Sequence, residues 1–199
     1  MVRPRYNTAE TRADLLREGR RLFTEVGYAV LRAEDIVGAA GLTRGALYHH
    51  FDGKLGLFRS VVEELQDEIT TEVKRHAELA AGPLDALRAG FQAYLDIALR
   101  ADIRRLVLLD GPAVLGWTTW HEIDQRHAYG LTRAAVQRAI EIGELPVVPV
   151  DGLTRVLLGA VTQASLDIGR SADPIATRRE IGTVVDLLID RLSETLRLD

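Results

Sequence analysis

Residues 33–58 read AEDIVGAAGLTRGALYHHFDGKLGLF. Ile36 and Val37, then Leu47 and Phe51, fall at helical spacing, with Gly41 between the two runs. Glycine ends a helix cheaply there, because it adopts the left-handed conformation without a Cβ clash. Thr43 is placed to cap the next helix by accepting from the N–H groups of its first turn. Two short helices joined through Gly41-Leu42-Thr43 form a helix-turn-helix unit. The second helix of such a unit lies in the major groove, its leading residues toward the base edges. Arg44 can chelate a guanine edge. Gly45 and Ala46 are small and let the helix approach the bases. Tyr48 and His50 offer donors to phosphate, with His49 between them. Lys54 opens the following helix, where its ammonium and free backbone N–H groups can both meet a phosphate. His49 and His50 diverge by about 100° as helix neighbours, with no Asp, Glu or Cys at ligand spacing, so no metal site is expected.

Outward from this segment the apolar pattern stays helical. Leu15, Leu16, Leu22 and Phe23 follow Thr8, a candidate N-cap, and Gly27-Tyr28 ends that helix. Residues 33–40 form a second helix, and a third runs from Thr43 to Asp52-Gly53. A long fourth helix runs from Lys54 to between His76 and Ala81, stopped by Gly82-Pro83. Leu84, Leu87, Phe91, Tyr94, Leu95 and Ala98 make the next amphipathic stripe. Residues 103–110 are short and apolar, and Gly111-Pro112 interrupts them. A long helix is expected from near Leu115 to Ile142. ELPVVPVDG then forms a loop whose two prolines argue against a strand. Two helices complete the chain, about 151–170 and 174–197, with Pro174 at a helix start. The fold class is all-α with about nine helices. A three-helix helix-turn-helix DNA-binding domain over residues 1–53 precedes a helical ligand-binding and dimerisation domain over 54–199.

Composition supports an ordinary globular chain: 199 residues, 47% apolar, 27% charged and no Cys. Disulfides, thiolate metal sites and thiol nucleophiles are excluded. MVRPRYNTAETR has no apolar h-region, and no apolar run approaches the roughly 18 residues of a membrane span. A cytoplasmic protein without membrane association or cofactor is the expectation. Net charge is -4, but residues 1–60 hold 10 Lys/Arg against 7 Asp/Glu, leaving 15 against 22 beyond. A mildly basic head therefore sits on an acidic body.

Gly27-Tyr28, Glu34-Asp35-Ile36, Ala39-Ala40-Gly41, Gly45-Ala46-Leu47-Tyr48-His49-His50-Phe51, Lys54 and Leu57 together resemble the N-terminal domain of the TetR/AcrR family of transcriptional regulators. The resemblance spans residues 8–58. It implies a homodimer on double-stranded operator DNA, and a repressor released by a small-molecule effector. One departure stands out. The family's Thr or Ser pair before Glu-Asp-Ile, which caps the second helix and touches phosphate, is Leu31-Arg32 here. Arg32 can supply the phosphate contact by charge, at the cost of a cap worth about 1 kcal/mol.

Half-sites about 34–36 Å apart require a dimer surface. On the last two helices Leu153, Val156, Leu157, Ala160, Val161, Ala164 and Ile168 form one apolar strip. Ile181, Val184, Val185, Leu188, Ile189 and Leu192 form another. The family resemblance implies a four-helix bundle here, with Leu153, Leu157, Val161, Ala164, Val184, Leu188, Arg191 and Leu192 as the candidate interface. In the middle, Trp117, Trp120 and His121 share a helix face with Asp124. The residues themselves favour a core stripe with a His121–Asp124 hydrogen bond. The resemblance implies an effector pocket, with Phe91, Tyr94, Leu95, Leu109, Trp117, Trp120, His121, Gln163 and Asp167 as candidate lining and a lipophilic ligand. A rival reading makes His121–Asp124 or His127–Glu122 an acid–base pair of an enzyme. No Ser-His-Asp order, phosphate loop or HExxH set accompanies it.

Overall fold

The apolar spacing that sets the head begins in α1 (Thr8–Val26), which buries Leu15, Leu16 and Phe23. After α2 (Ala33–Ala39) and α3 (Arg44–Phe51) comes the 26-residue α4 (Gly53–Glu78). This computed structural model describes residues 8–194. The remaining elements are α5 (Pro83–Ile97), a π-helical stretch (Ile103–Asp110), α6 (Gly111–Leu115), α7 (Trp117–Glu141), α8 (Val150–Arg170) and α9 (Pro174–Glu194). No strand occurs among the described residues. The expected extension of the last helix to residue 197 lies outside them. No helix among them is long and apolar enough to cross a membrane.

Gly41 (φ 66°) makes the turn of the helix-turn-helix unit, and Thr43 Oγ1 accepts from the Ala46 N–H at 3.2 Å. Leu47 and Phe51 turn inward against the head's core. Phe23, Tyr28 and Phe58 close its far end as three mutually packed rings, with centroids 5.0–5.8 Å apart. Edge and offset contacts of this kind add roughly 0.5–1.5 kcal/mol each beyond their burial.

Leu31-Arg32 behaves differently from a hydroxyl cap. Leu31 is buried in the head's core. The donor-only guanidinium of Arg32 cannot cap α2. Instead the Asp35 carboxylate reaches back and accepts from the Arg32 backbone N–H at 3.0 Å. The same carboxylate pairs with the Arg32 guanidinium at 3.3 Å, and these contacts hold its pKa below the usual range. Half of a capping box survives, and the missing hydroxyl is offset by an extra apolar side chain in the core.

In the body, α4 packs on α5, α7 and the π-helical stretch, while α8 and α9 lie against α5 and each other. The π-helical stretch covers the short apolar run that ends at Gly111-Pro112. Pro112 has no N–H to return to the carbonyl of Leu108 four residues earlier, so an α-helix cannot continue unbroken through this point. Trp120 fills the space beside it and donates from Nε1 to the Val107 carbonyl at 2.7 Å.

α1 is clasped by the body at its C-terminal end. The Arg105 guanidinium donates to the carbonyls of Thr24 at 3.0 Å, Glu25 at 3.3 Å and Val26 at 3.0 Å. These carbonyls have no intrahelical partner, so Arg105 caps α1 and meets the negative end of its dipole. Gly27 (φ 94°) makes room, since a Cβ there would overlap the guanidinium. Arg20 adds ion pairs to Glu68 on α4 at 2.5 Å and to Asp102 at 2.6 Å. Arg105→Ala is expected to lower unfolding free energy by about 1–2 kcal/mol, because partly exposed charged bonds fall at the lower end of their range. Urea unfolding measures this, and hydrogen exchange should quicken at residues 24–28.

Candidate functional site

α3 presents Thr43, Arg44, Gly45, Tyr48 and His49 to solvent, while His50 is half-buried. Arg44 is pre-set. Its guanidinium pairs with Glu34 of α2 at 2.6 Å and lies 5.4 Å from the Tyr48 ring centre. It also reaches the Tyr48 hydroxyl at 3.4 Å. Both side chains stay largely exposed, so a planar donor fork stands at the leading edge of α3 with its orientation restricted. His49 and His50 meet edge to face at 5.0 Å, and His50 leans on Phe51.

Lys54 departs from the sequence expectation. Its ammonium donates to the carbonyls of Tyr28 and Leu31, both at 2.8 Å, and sits 4.0 Å over the Tyr28 ring. It pins the α1–α2 loop, and two of its three donors are engaged inside the head. Arg32, folded onto Asp35, remains highly exposed.

A second concave feature lies inside the body. A cavity of about 260 Å³, open to solvent on one side, is bounded by α4, α5, α7 and α8. Ile69, Val73, Leu87, Phe91, Leu131 and Leu158 are among its apolar walls, and Gln66, Tyr94, Asp124 and Thr162, joined by hydrogen bonds, are in its lining. Of the residues expected to line a pocket, only Phe91 and Tyr94 face it. Leu95 points from the same helix into the core, and Trp120 is wholly buried there. Leu109 is 37% and Trp117 52% exposed. His121 stacks on Trp117 at 5.5 Å and leaves a buried Nδ1 without a hydrogen-bond partner. Gln163 and Asp167 bond each other at 2.8 Å on the outer face of α8. The cavity therefore sits further along α7 than expected. The face of α4 running through Gln66, Ile69, Thr70 and Val73 was the signal available: two polar residues interleaved in a buried stripe.

The two acid–base pairings do not form. Asp124 bonds Gln66, Tyr94 and Thr162 rather than His121. His127 Nδ1 lies 3.2 Å from Asp67, not against Glu122.

On α8 and α9 the structure separates two faces that the sequence merged. Val161 is buried against the cavity, and Leu153, Leu157 and Ala164 are half-buried inside the monomer. One exposed row of α8 is Val156, Gly159, Ala160 and Gln163. On α9 the matching exposed row is Val184, Leu187, Leu188 and Arg191, while Leu192 is half-buried. Both sets follow the same i, i+3, i+4, i+7 spacing, so each helix offers one straight outer seam.

A three-helix head with an exposed, capped recognition helix, carried on a helical body with a cavity between its helices, defines a helix-turn-helix DNA-binding regulator. Residues 15–61 match the family model of bacterial regulatory proteins of the tetR family, and residues 84–192 match a tetracyclin repressor-like C-terminal domain. The chain is 33% identical to a TetR-family transcriptional regulator from Pectobacterium atrosepticum, whose crystal structure superposes with a TM-score of 0.86 over 96% of this chain and 98% of that one. It is 28% identical over 153 residues to the transposon Tn10 TetC protein of Escherichia coli, covering 77% of each. With the regulator AcrR of Shigella flexneri it shares 34% over 100 residues, half of this chain and 46% of that one. The chain belongs to the TetR family of transcriptional regulators.

Proposed function

We propose that this chain is a homodimeric repressor in the cytoplasm that holds a palindromic operator through α3 and is released by a small molecule bound in the body cavity. The observation carrying the reading is the solvent-facing edge of α3, with Arg44 set by Glu34 and Tyr48. Head and body divide near residue 53, but α4 belongs to both. It packs Leu57, Phe58 and Val61 under the head and lines the cavity with Gln66, Ile69 and Val73. A ligand that displaces this helix favours one spacing of the two heads, and operator DNA weakens ligand binding by the same factor. Arg32, Thr43, Arg44, Gly45, Tyr48, His49 and His50 form the proposed contact surface. Lys54 acts first by fixing the 28–31 loop.

Operator binding at fixed salt tests the assignment. Arg44→Ala is expected to cost about 1–3 kcal/mol and to relax preference at one base pair. Unchanged affinity and preference would remove Arg44 from the readout. Lys54→Met is expected to weaken all sequences alike and also to lower the melting temperature. A pure phosphate contact would flatten the salt dependence and leave melting untouched.

A further inference from the structure

We propose that the cavity takes a lipophilic cation, an amine or related base on a compact apolar body, with its charged group against Asp124. This rests on the cavity being the effector site and names the chemistry of what enters it.

Asp124 is 2% exposed. Its Oδ1 accepts from Gln66 Nε2 and from the Tyr94 hydroxyl, both at 3.3 Å, and its Oδ2 accepts from Thr162 Oγ1 at 3.1 Å. These three donors come from α4, α5 and α8, and all are neutral. A carboxylate offers about four lone-pair sites, so Oδ2 keeps room for one more donor. Among the described residues no cation forms an ion pair with Asp124. His121, one turn earlier on α7, is stacked on Trp117. His127, one turn later, faces Asp67. Lys74, also in the lining, is paired with Glu78 at 3.7 Å. None of the three donates a hydrogen bond to Asp124 or forms an ion pair with it, and only His121 acts on its charge, at longer range.

A buried carboxylate without a direct ion-pair partner is costly, and proteins normally pair it. Burial holds this carboxyl above its usual range, against the pull of its hydrogen bonds and of the nearby His121. A ligand ammonium would supply the missing charge and fill the vacant lone pair together. An alcohol would fill the lone pair without neutralising the site. An anion would face like charge in a low-dielectric wall. Phe91 and Tyr94 stand in the same lining, and aromatic faces attract cations. At about 260 Å³ the space is slightly below the roughly 300 Å³ at which drug-sized sites begin, so the apolar body must be small.

Three probes of one shape separate these possibilities: 4-phenylbutylamine, 4-phenylbutan-1-ol and 4-phenylbutyrate. Each is titrated calorimetrically into the full-length protein and into Asp124→Asn. The amine is expected to bind native protein at least about tenfold more tightly than the alcohol, a difference of about 1.4 kcal/mol, with the acid weakest. Asp124→Asn keeps the shape and most hydrogen bonds, so it should bring the amine down to the alcohol's affinity while the alcohol moves by less than about threefold. If alcohol or acid binds native protein as tightly as the amine, the cation assignment fails while the cavity stands as a ligand site. If the amine's affinity survives in Asp124→Asn, the assignment fails as well. If none of the three binds, both the cation and the effector-cavity reading fall. The native-protein ranking decides the matter even if Asp124→Asn folds poorly.

Discussion

Val184→Asp combined with Leu188→Asp is expected to convert the protein to a monomer and to lower operator affinity by roughly three orders of magnitude, the lower end of the gap between specific and non-specific binding. Both side chains are more than half exposed, at 53% and 54%, with Leu187 equally open at 53% between them. Val156 on the neighbouring helix is 69% exposed. Four such apolar side chains on adjacent helices make an exposed patch of the kind that marks an interface. Gly159 and Ala160, both exposed on α8, let a partner helix approach closely. Two carboxylates placed in that seam would have to be buried unpaired on association. A single head then contacts one half-site and loses the gain from tethering two. Neither residue is buried in the monomer, so helix content and melting of the isolated chain should change little. Sedimentation velocity with operator titration at one salt concentration checks both halves of the expectation. A variant that remains dimeric would place the seam elsewhere.

That seam also shows how far periodicity carries. The head was legible because its signals are local: Gly41 at the turn, Thr43 at the cap, Leu47 and Phe51 one turn apart. The outer face of α8 was not, because Leu153, Val156, Leu157, Ala160 and Val161 spread apolar character around most of its circumference. A 3.6-residue period cannot choose a side when several sides are apolar. The outer face is decided by what α5 and α7 already cover. Leu31-Arg32 is similar. The loss of a hydroxyl was visible in the sequence, but the Asp35 carboxylate reaching back to the Arg32 N–H and the burial of Leu31 depend on how the loop closes. Lys54 looked like a phosphate contact because its place in the chain is right. Its ammonium is drawn inward by two loop carbonyls more than twenty residues away.

The cavity was the hardest feature to read. Its polar side gathers Gln66, Tyr94, Asp124 and Thr162 from four helices, and no window of sequence contains more than one of them. The aromatic run in α7 is the stronger local signal, since Trp residues mark either pockets or cores. Here they divide, with Trp117 half in solvent and Trp120 sealed.

Trp120→Ala is therefore expected to be among the most destabilising single changes in the body, costing about 3–5 kcal/mol. For a chain of this size that corresponds to a fall in melting temperature of about 6–20 °C. The ring has no exposed surface, and its Nε1–H satisfies the Val107 carbonyl inside the π-helical stretch at 2.7 Å. Truncation leaves a cavity and an unpartnered carbonyl together. Gly111 lies so close that a Cβ there would come within 2.8 Å of the indole, so the backbone has been shaped around this ring. Trp120→Phe should recover most of the packing but not the hydrogen bond, and should cost about 1–2 kcal/mol. Trp117→Ala, on the exposed neighbour, should cost about 1 kcal/mol or less. Denaturant unfolding of the three variants separates a core residue from a pocket wall. Were Trp120 part of the ligand wall, its removal would enlarge the cavity and shift the affinity of the phenylbutyl probes more than it shifts stability. The burial of its whole surface outside the cavity's lining predicts the reverse order.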